Sequence, residues 1–138
     1  MPASPTQKAK WHISVPIDFN DFFSFSFFSL FAFLYPLGYN VIMVTIRETK
    51  IYSRWFAALR DRKARARIQT RIDRLQLGIL GDVKPVGEGV SELRIDYGPG
   101  YRVYFVQRGQ ELVILLAGGD KSTQDKDIKT ALDLARNI

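Results

Sequence analysis

Cysteine is absent from the 138 residues, and histidine occurs once, at position 12. The first absence removes disulfides, thiolate nucleophiles and sulfur-ligated metals together, and it fits a reducing compartment, so the expected location is the cytoplasm. The second leaves everything beyond His12 without imidazole, so neither a histidine base nor a zinc site is expected there, and no metal or other cofactor is called for. Nucleotide-cradling glycine loops are also missing: Gly87-Glu88-Gly89 and Gly118-Gly119 lack the spacing and context of dinucleotide or Walker motifs, and no internal repeat is present. Charge is scarce at the start of the chain. Residues 1–42 hold two Lys and two Asp, net zero, whereas residues 43–138 hold 18 basic and 12 acidic groups, which supplies the whole net charge of +6. A basic excess favours a polyanionic partner through long-range attraction.

The aromatic residues are as unevenly spread as the charges. Eight of the ten Phe lie before residue 34. Phe22 to Tyr39 is an uncharged run of 18 residues, at the lower edge of what crosses a bilayer as a helix. Three readings compete: a membrane anchor, a Phe-rich tail packed on the domain or a partner, and upstream sequence translated from a start codon assigned too early. Asp18 and Asp21 at the edge of the run, and Pro36 and Gly38 breaking its end, weigh against the anchor. The abrupt change of composition near Met43 favours the third. The expected organisation is therefore an N-terminal extension over 1–42 that is not part of the fold, and one domain over 43–138, with no membrane partner.

Beyond Met43 the periodicities are ordinary. Val44-Thr45-Ile46-Arg47 reads as a short strand, and Thr49 as the N-cap of a helix whose Tyr52, Trp55, Phe56 and Leu59 fall on one face. A second helix is expected from Arg62 to about Leu77, with Asp61 near its start and Ala64, Ile68, Ile72 and Leu75 as its buried stripe. Its other faces carry Arg62, Lys63, Arg65, Arg67, Arg71 and Arg74, a pattern that suits a solvated surface, a polyanion or an acidic protein. Gly78 and Gly81 end it, and Asp82 to Gly89, with Pro85, reads as a loop. Leu112 to Ala117 is continuously apolar, as in a central strand. Ser122 is the expected cap of a last helix reaching about Arg136.

Between loop and central strand lies Ser91 to Phe105, two strands joined at Gly98-Pro99-Gly100. Counting by twos places Leu93 and Ile95 on one face and Glu92, Arg94 and Asp96 on the other. On the second strand Tyr101, Val103 and Phe105 face the core, leaving Arg102 and Tyr104 opposite. Pairing the polar faces makes Arg94 and Arg102 cross-strand neighbours, an arrangement that is destabilising unless an anion sits between them. A hairpin of this kind aims two permanent cations at one anion.

The order strand, two helices, three antiparallel strands, helix, with the Arg-rich helical pair, Lys84-Pro85-Val86-Gly87-Glu88-Gly89, Glu92-Leu93-Arg94-Ile95, Tyr101-Arg102 and Gly119-Asp120-Lys121, resembles RelE/HigB-type toxins of bacterial type II toxin–antitoxin modules. The branch it resembles most is that of addiction module killer proteins related to a phage Gp49-like family, over residues 43 to 138. The resemblance implies an α+β, RelE/ParE-like fold: a short N-terminal strand, a helical hairpin packed on a curved antiparallel sheet with helices on one side, and a C-terminal helix. It implies cleavage of mRNA on the ribosome, and silencing by a cognate antitoxin, expected as a helix-turn-helix protein. It also implies that Arg102 contacts the scissile phosphate, that Arg94 is the basic residue of the preceding strand, and that Lys121 is the basic group after the last strand. Two departures stand out. No Tyr or His follows Tyr104 to serve as general acid or base, and Glu92 replaces a second basic residue on the first hairpin strand.

RNA carries its own nucleophile, the 2′-hydroxyl, so a cleaver without metal has to hold it in line with the phosphate and neutralise the charge that builds there. Arginine suits this because its planar fork donates two hydrogen bonds and stays ionised. Arg102, Arg94 and Lys121 are the candidate catalytic residues. Asp120, Asp125 and Asp127 are the candidates for a general base, which would need a raised pKa near neutrality. Tyr97, Tyr101, Lys84 and Arg65 are the remaining RNA-binding candidates, the tyrosines through stacking on bases, although Tyr101 falls on the apolar side of its strand. Two readings keep the fold without the chemistry, a DNA gyrase inhibitor and an inactive antitoxin-binding relative.

Overall fold

The computed structural model describes residues 43–138; the expectations for residues 1–42, including the apolar run, lie outside the described residues. Strand β1 (Thr45–Glu48) leads into α1 (Lys50–Ala58) and α2 (Arg62–Gln76), then come β2 (Val83–Gly87), β3 (Val90–Ile95), β4 (Tyr101–Arg108), β5 (Leu112–Asp120), a 3-10 turn (Lys121–Thr123) and α3 (Gln124–Arg136). The five strands form one sheet in the order β1-β5-β4-β3-β2. Among the described residues no helix is long and apolar enough to cross a membrane.

The helix ends follow from local chemistry. Thr49 accepts a hydrogen bond from the Tyr52 N–H and donates its hydroxyl to the carbonyl of Leu116, so one side chain both caps α1 and ties it to β5. Asp61 accepts from the N–H groups of Lys63 and Ala64 and starts α2. At the far end the Gly78 N–H reaches the Leu75 carbonyl and the Ile79 N–H reaches that of Arg74, with Gly78 at φ +82°; this is the paired closing motif that favours glycine.

Four features differ from the sequence-based expectation. Part of the stretch expected as a loop is β2, which pairs antiparallel with β3 through Val83↔Leu93 and Lys84↔Glu92. Pro85 and Gly87 disguise it, but β2 is an edge strand, where proline loses no ladder hydrogen bond. The sheet is mixed rather than wholly antiparallel, because β1 runs parallel to β5 once two helices have carried the chain across. Helices cover both faces rather than one. Tyr52, Ile68, Ile72 and Leu75 of α1 and α2 pack on Leu93, Ile95, Val103, Phe105, Val113 and Leu115, while Ala131 and Ala135 of α3 pack on Val90, Tyr104, Val106, Leu116 and Ala117. Finally, Asp120 rather than Ser122 is the capping side chain after β5: it accepts from the Ser122 N–H, and Thr123 completes a reciprocal capping box.

The hairpin is as the period of two requires. Arg94 stands opposite Arg102, Leu93 opposite Val103 and Ile95 opposite Tyr101. Leu93, Val103 and Phe105 are buried beneath α1 and α2. The alternate positions, Glu92, Arg94, Arg102 and Tyr104, therefore emerge on the α3 side, where α3 begins.

Candidate functional site

The two arginines share one counter-ion, and the chain supplies it. Glu92 is fully buried. Its Oε1 lies 3.0 Å from Arg94 Nε and 3.3 Å from Arg102 Nε, the second contact an ion pair without hydrogen-bond alignment. Its Oε2 accepts from Gln124 Nε2 at 2.7 Å and from the Tyr104 hydroxyl at 3.2 Å. Burial pushes the Glu92 carboxyl up, but the hydrogen bonds from Arg94 and Gln124, the charge of Arg102 and the Tyr104 hydroxyl outweigh it and hold the group below the usual glutamate range. The same contact raises Arg94 above its ordinary value. Burial, then the neighbouring carboxylate, raises the Tyr104 phenol, which stays a donor. Each guanidinium is thus held from its Nε side. Arg94 keeps 36% of its side chain exposed, whereas Arg102 keeps 13% and its Nη1 donates to the Gly100 carbonyl at 2.9 Å.

Gly100, at φ +80°, lies between Arg102 and Lys121: a Cβ there would stand 3.4 Å from Arg102 Nη1 and 3.6 Å from Lys121 Cβ. The hairpin turn thus brings the exposed Lys121 to the flank of the pair. The pattern of phage-derived Gp49-like proteins (DUF891) matches residues 54–138, which include every candidate site residue. The chain belongs to the Gp49-like family. It is also 52% identical, over 95 residues, to an uncharacterized protein of Haemophilus influenzae, a match that takes in 69% of this chain and 96% of that relative. The family is one of phage-derived addiction-module killer proteins, toxins whose partner is a cognate antitoxin.

The rest of this Gp49-like site divides by face. Lys84 is exposed opposite Glu92 and so shares the arginine face. Asp127 does too: it accepts from the Thr123 hydroxyl, and its carboxylate presses on Gly119, the β5 partner of Arg102, closely enough that a Cβ would not fit. Asp125 is exposed in the first turn of α3. Asp120 is committed to the cap, and the Ser122 hydroxyl, backbone N–H groups and the charge of Arg102 hold it below the usual range, opposite to what a base near neutrality needs. Tyr101 belongs to the other face, its ring 6.4 Å from that of Trp55. Tyr97 is there as well, donating to Asp61 at 3.0 Å with the Arg67 guanidinium 4.9 Å above its ring. Arg65 is on α2, the helix of that same face. So the structure gathers Arg94, Arg102, Lys121, Lys84 and Asp127, and separates Tyr97, Tyr101 and Arg65 from them. Among the described residues no group of three or more His, Asp or Glu side chains is placed to hold a metal.

Sequence reasoning missed Glu92, Tyr104 and Gln124 as members of the site. The signal for the first two was present: both share the strand faces of the arginines, and a cross-strand arginine pair calls for an anion. Gln124 joins from 32 residues away, a contact that no local pattern encodes.

Proposed function

We propose that this Gp49-like toxin is a ribosome-dependent endoribonuclease that cleaves mRNA through attack of the 2′-hydroxyl, acting in the cytoplasm and silenced by its antitoxin. The observation that carries the reading is the Arg94–Glu92–Arg102 bridge. A buried carboxylate holds two guanidinium groups side by side at the open end of a sheet face, and such preorganised donors cost no reorganisation when charge develops on a phosphate. In this reading Arg102 and Arg94 neutralise the phosphorane oxygens, and Glu92 positions them. Asp127, beside Arg102 across Gly119, takes the 2′-hydroxyl proton; the 2′-oxygen then bonds to phosphorus as the bond to the 5′-oxygen breaks. Lys121 returns a proton to that oxygen. The products are a 2′,3′-cyclic phosphate and a 5′-hydroxyl end. Lys84 extends the phosphate-binding face.

Brief induction in a bacterial host, followed by mapping of transcript ends, tests the assignment. The wild-type chain is expected to arrest growth and leave new 5′ ends inside translated regions, and Arg102→Ala to do neither while remaining folded. Intact transcripts with induced DNA damage would replace the nuclease reading with gyrase inhibition. Full toxicity of folded Arg102→Ala would remove the proposed active centre.

A further inference from the structure

A second cluster of cations adjoins this bridge and shares Arg94 with it. Arg67, Arg71 and Arg74 of α2 and Arg94 of β3 line a cleft of about 350 Å³, with Asp82 and Asp96 on its walls. Four cations against two carboxylates leave it net +2. Arg67 and Arg74 are exposed. Arg71 is structural as well as lining, since its Nη2 donates to the carbonyls of Leu80 and Asp82 and so holds the end of the α2 loop against the start of β2. The cleft and the Glu92 bridge meet at one side chain. β2 begins at Val83, opposite Leu93, so β3 runs on past the edge strand through Arg94 and Ile95. There Arg94 is bound by Glu92 on one side and lines the cleft on the other.

We infer that the cleft between α2 and the end of β3 holds phosphates of the same RNA strand whose scissile phosphate sits at Arg94 and Arg102, so that the strand passes from one face of the domain to the other over Arg94. This rests on the nuclease reading and extends its footprint. A polyanion with evenly repeated charges is the ligand that uses both clusters at once, whereas an isolated small anion uses either alone. The Arg67 guanidinium, which lies over the Tyr97 ring with its Cζ 4.9 Å from the centroid, offers a face on which an unpaired base stacks. Tyr97 thereby enters the RNA site indirectly, beneath Arg67.

The test is binding of a fluorescein-labelled single-stranded oligouridylate by the full chain across a potassium chloride series, without ribosomes. Arg67→Gln with Arg74→Gln is expected to weaken binding roughly tenfold and to reduce the slope of log Kd against log salt by about 1.4, about 0.7 for each cation lost. Arg62→Gln with Lys63→Gln removes the same charge from α2 outside the cleft and is expected to stay within about twofold of wild type. Arg67→Lys with Arg74→Lys, which keeps the charge, should restore the slope and show that the glutamine pair had not simply misfolded. Equal losses from both glutamine pairs would mean diffuse attraction and overturn the cleft. Wild-type RNA binding by the cleft variant, coupled with escape from its antitoxin, would overturn it in favour of an acidic protein surface, for which the exposed Ile79 and Leu80 nearby would supply the apolar contacts. Failure of the cleft alone leaves the wild-type chain cutting transcripts and Arg102→Ala unable to cut. Failure of the nuclease reading shows instead as transcripts left whole by the wild-type chain, whatever the salt slope.

Discussion

The two faces of the sheet are made from alternate residues of the same strands, yet they solve opposite problems. Beneath α1 and α2 the face is dry: Leu93, Val103, Phe105 and Leu115 are each 3% exposed or less and meet Ile68 and Ile72. Beneath α3 it is dry only where Val90, Val106, Leu116 and Ala131 pack. Two to four residues along β3 and β4, it carries a buried carboxylate, two guanidinium groups and a phenol. Burying such groups is costly unless each finds a partner, and replacing a buried ion pair by apolar residues is often neutral or stabilising. The apolar face therefore carries stability, and in the proposed reading the polar face is kept for phosphate binding.

That division can be broken from either side. On the dry face Ile68→Ala should destabilise the fold by about 2–5 kcal/mol, measured by urea unfolding, with cleavage intact in the fraction that remains folded. On the polar face Arg102→Ala should raise the cleavage barrier by about 2.7–4 kcal/mol, measured under single turnover on ribosomes.

Gly118 and Gly119 offer a sharper comparison, since they are adjacent and face opposite ways. An alanine methyl at 118 would run into the Trp55 ring, and one at 119 into Asp127 and Thr123. Gly118→Ala should cost about 1–3 kcal/mol of stability by overpacking. Gly119→Ala should lose activity out of proportion to stability, as Asp127 is pushed away from Arg102. Similar activity losses for both variants would erase the distinction between the faces.

A fourth expectation concerns pH. The Glu92 carboxyl is held below its unfolded value of 4.5, so its contribution to stability is complete above about pH 5 and is lost as pH falls through the lower folded value. Urea midpoints between about pH 6 and about pH 3 should therefore decline less steeply for Glu92→Gln than for wild type. The smallest effect is expected from Thr49→Ala, about 1 kcal/mol for the lost cap of α1, with no change in cleavage.

Much of this is legible in the sequence. The period of two around Gly98-Pro99-Gly100 specifies the Arg94↔Arg102 register, because a slip of one residue would turn Leu93 and Ile95 out to water. The stripe Ala64, Ile68, Ile72, Leu75 specifies the buried side of α2. What was hidden has physical reasons. β2 has the composition of a loop and becomes a strand only because β3 offers it a ladder. α3 is amphipathic, but amphipathicity does not say which face of a sheet it will cover. The contacts of Glu92 depend on Gln124, Arg102 and Tyr104 arriving together, and only the register of β3 with β4 and the docking of α3 bring them there.

The most direct measurement is the single-turnover rate of cleavage of a ribosome-bound mRNA by purified wild type, Arg102→Ala and Glu92→Gln, with product ends identified chemically. The expected result is 2′,3′-cyclic phosphate ends from the wild type, a rate at least about 100-fold lower for folded Arg102→Ala, and an intermediate rate for Glu92→Gln, whose arginines lose their shared anchor. Wild-type rates from both variants, or no cleavage by the wild-type protein on any programmed ribosome, would contradict the assignment of the bridged arginines as a phosphate clamp.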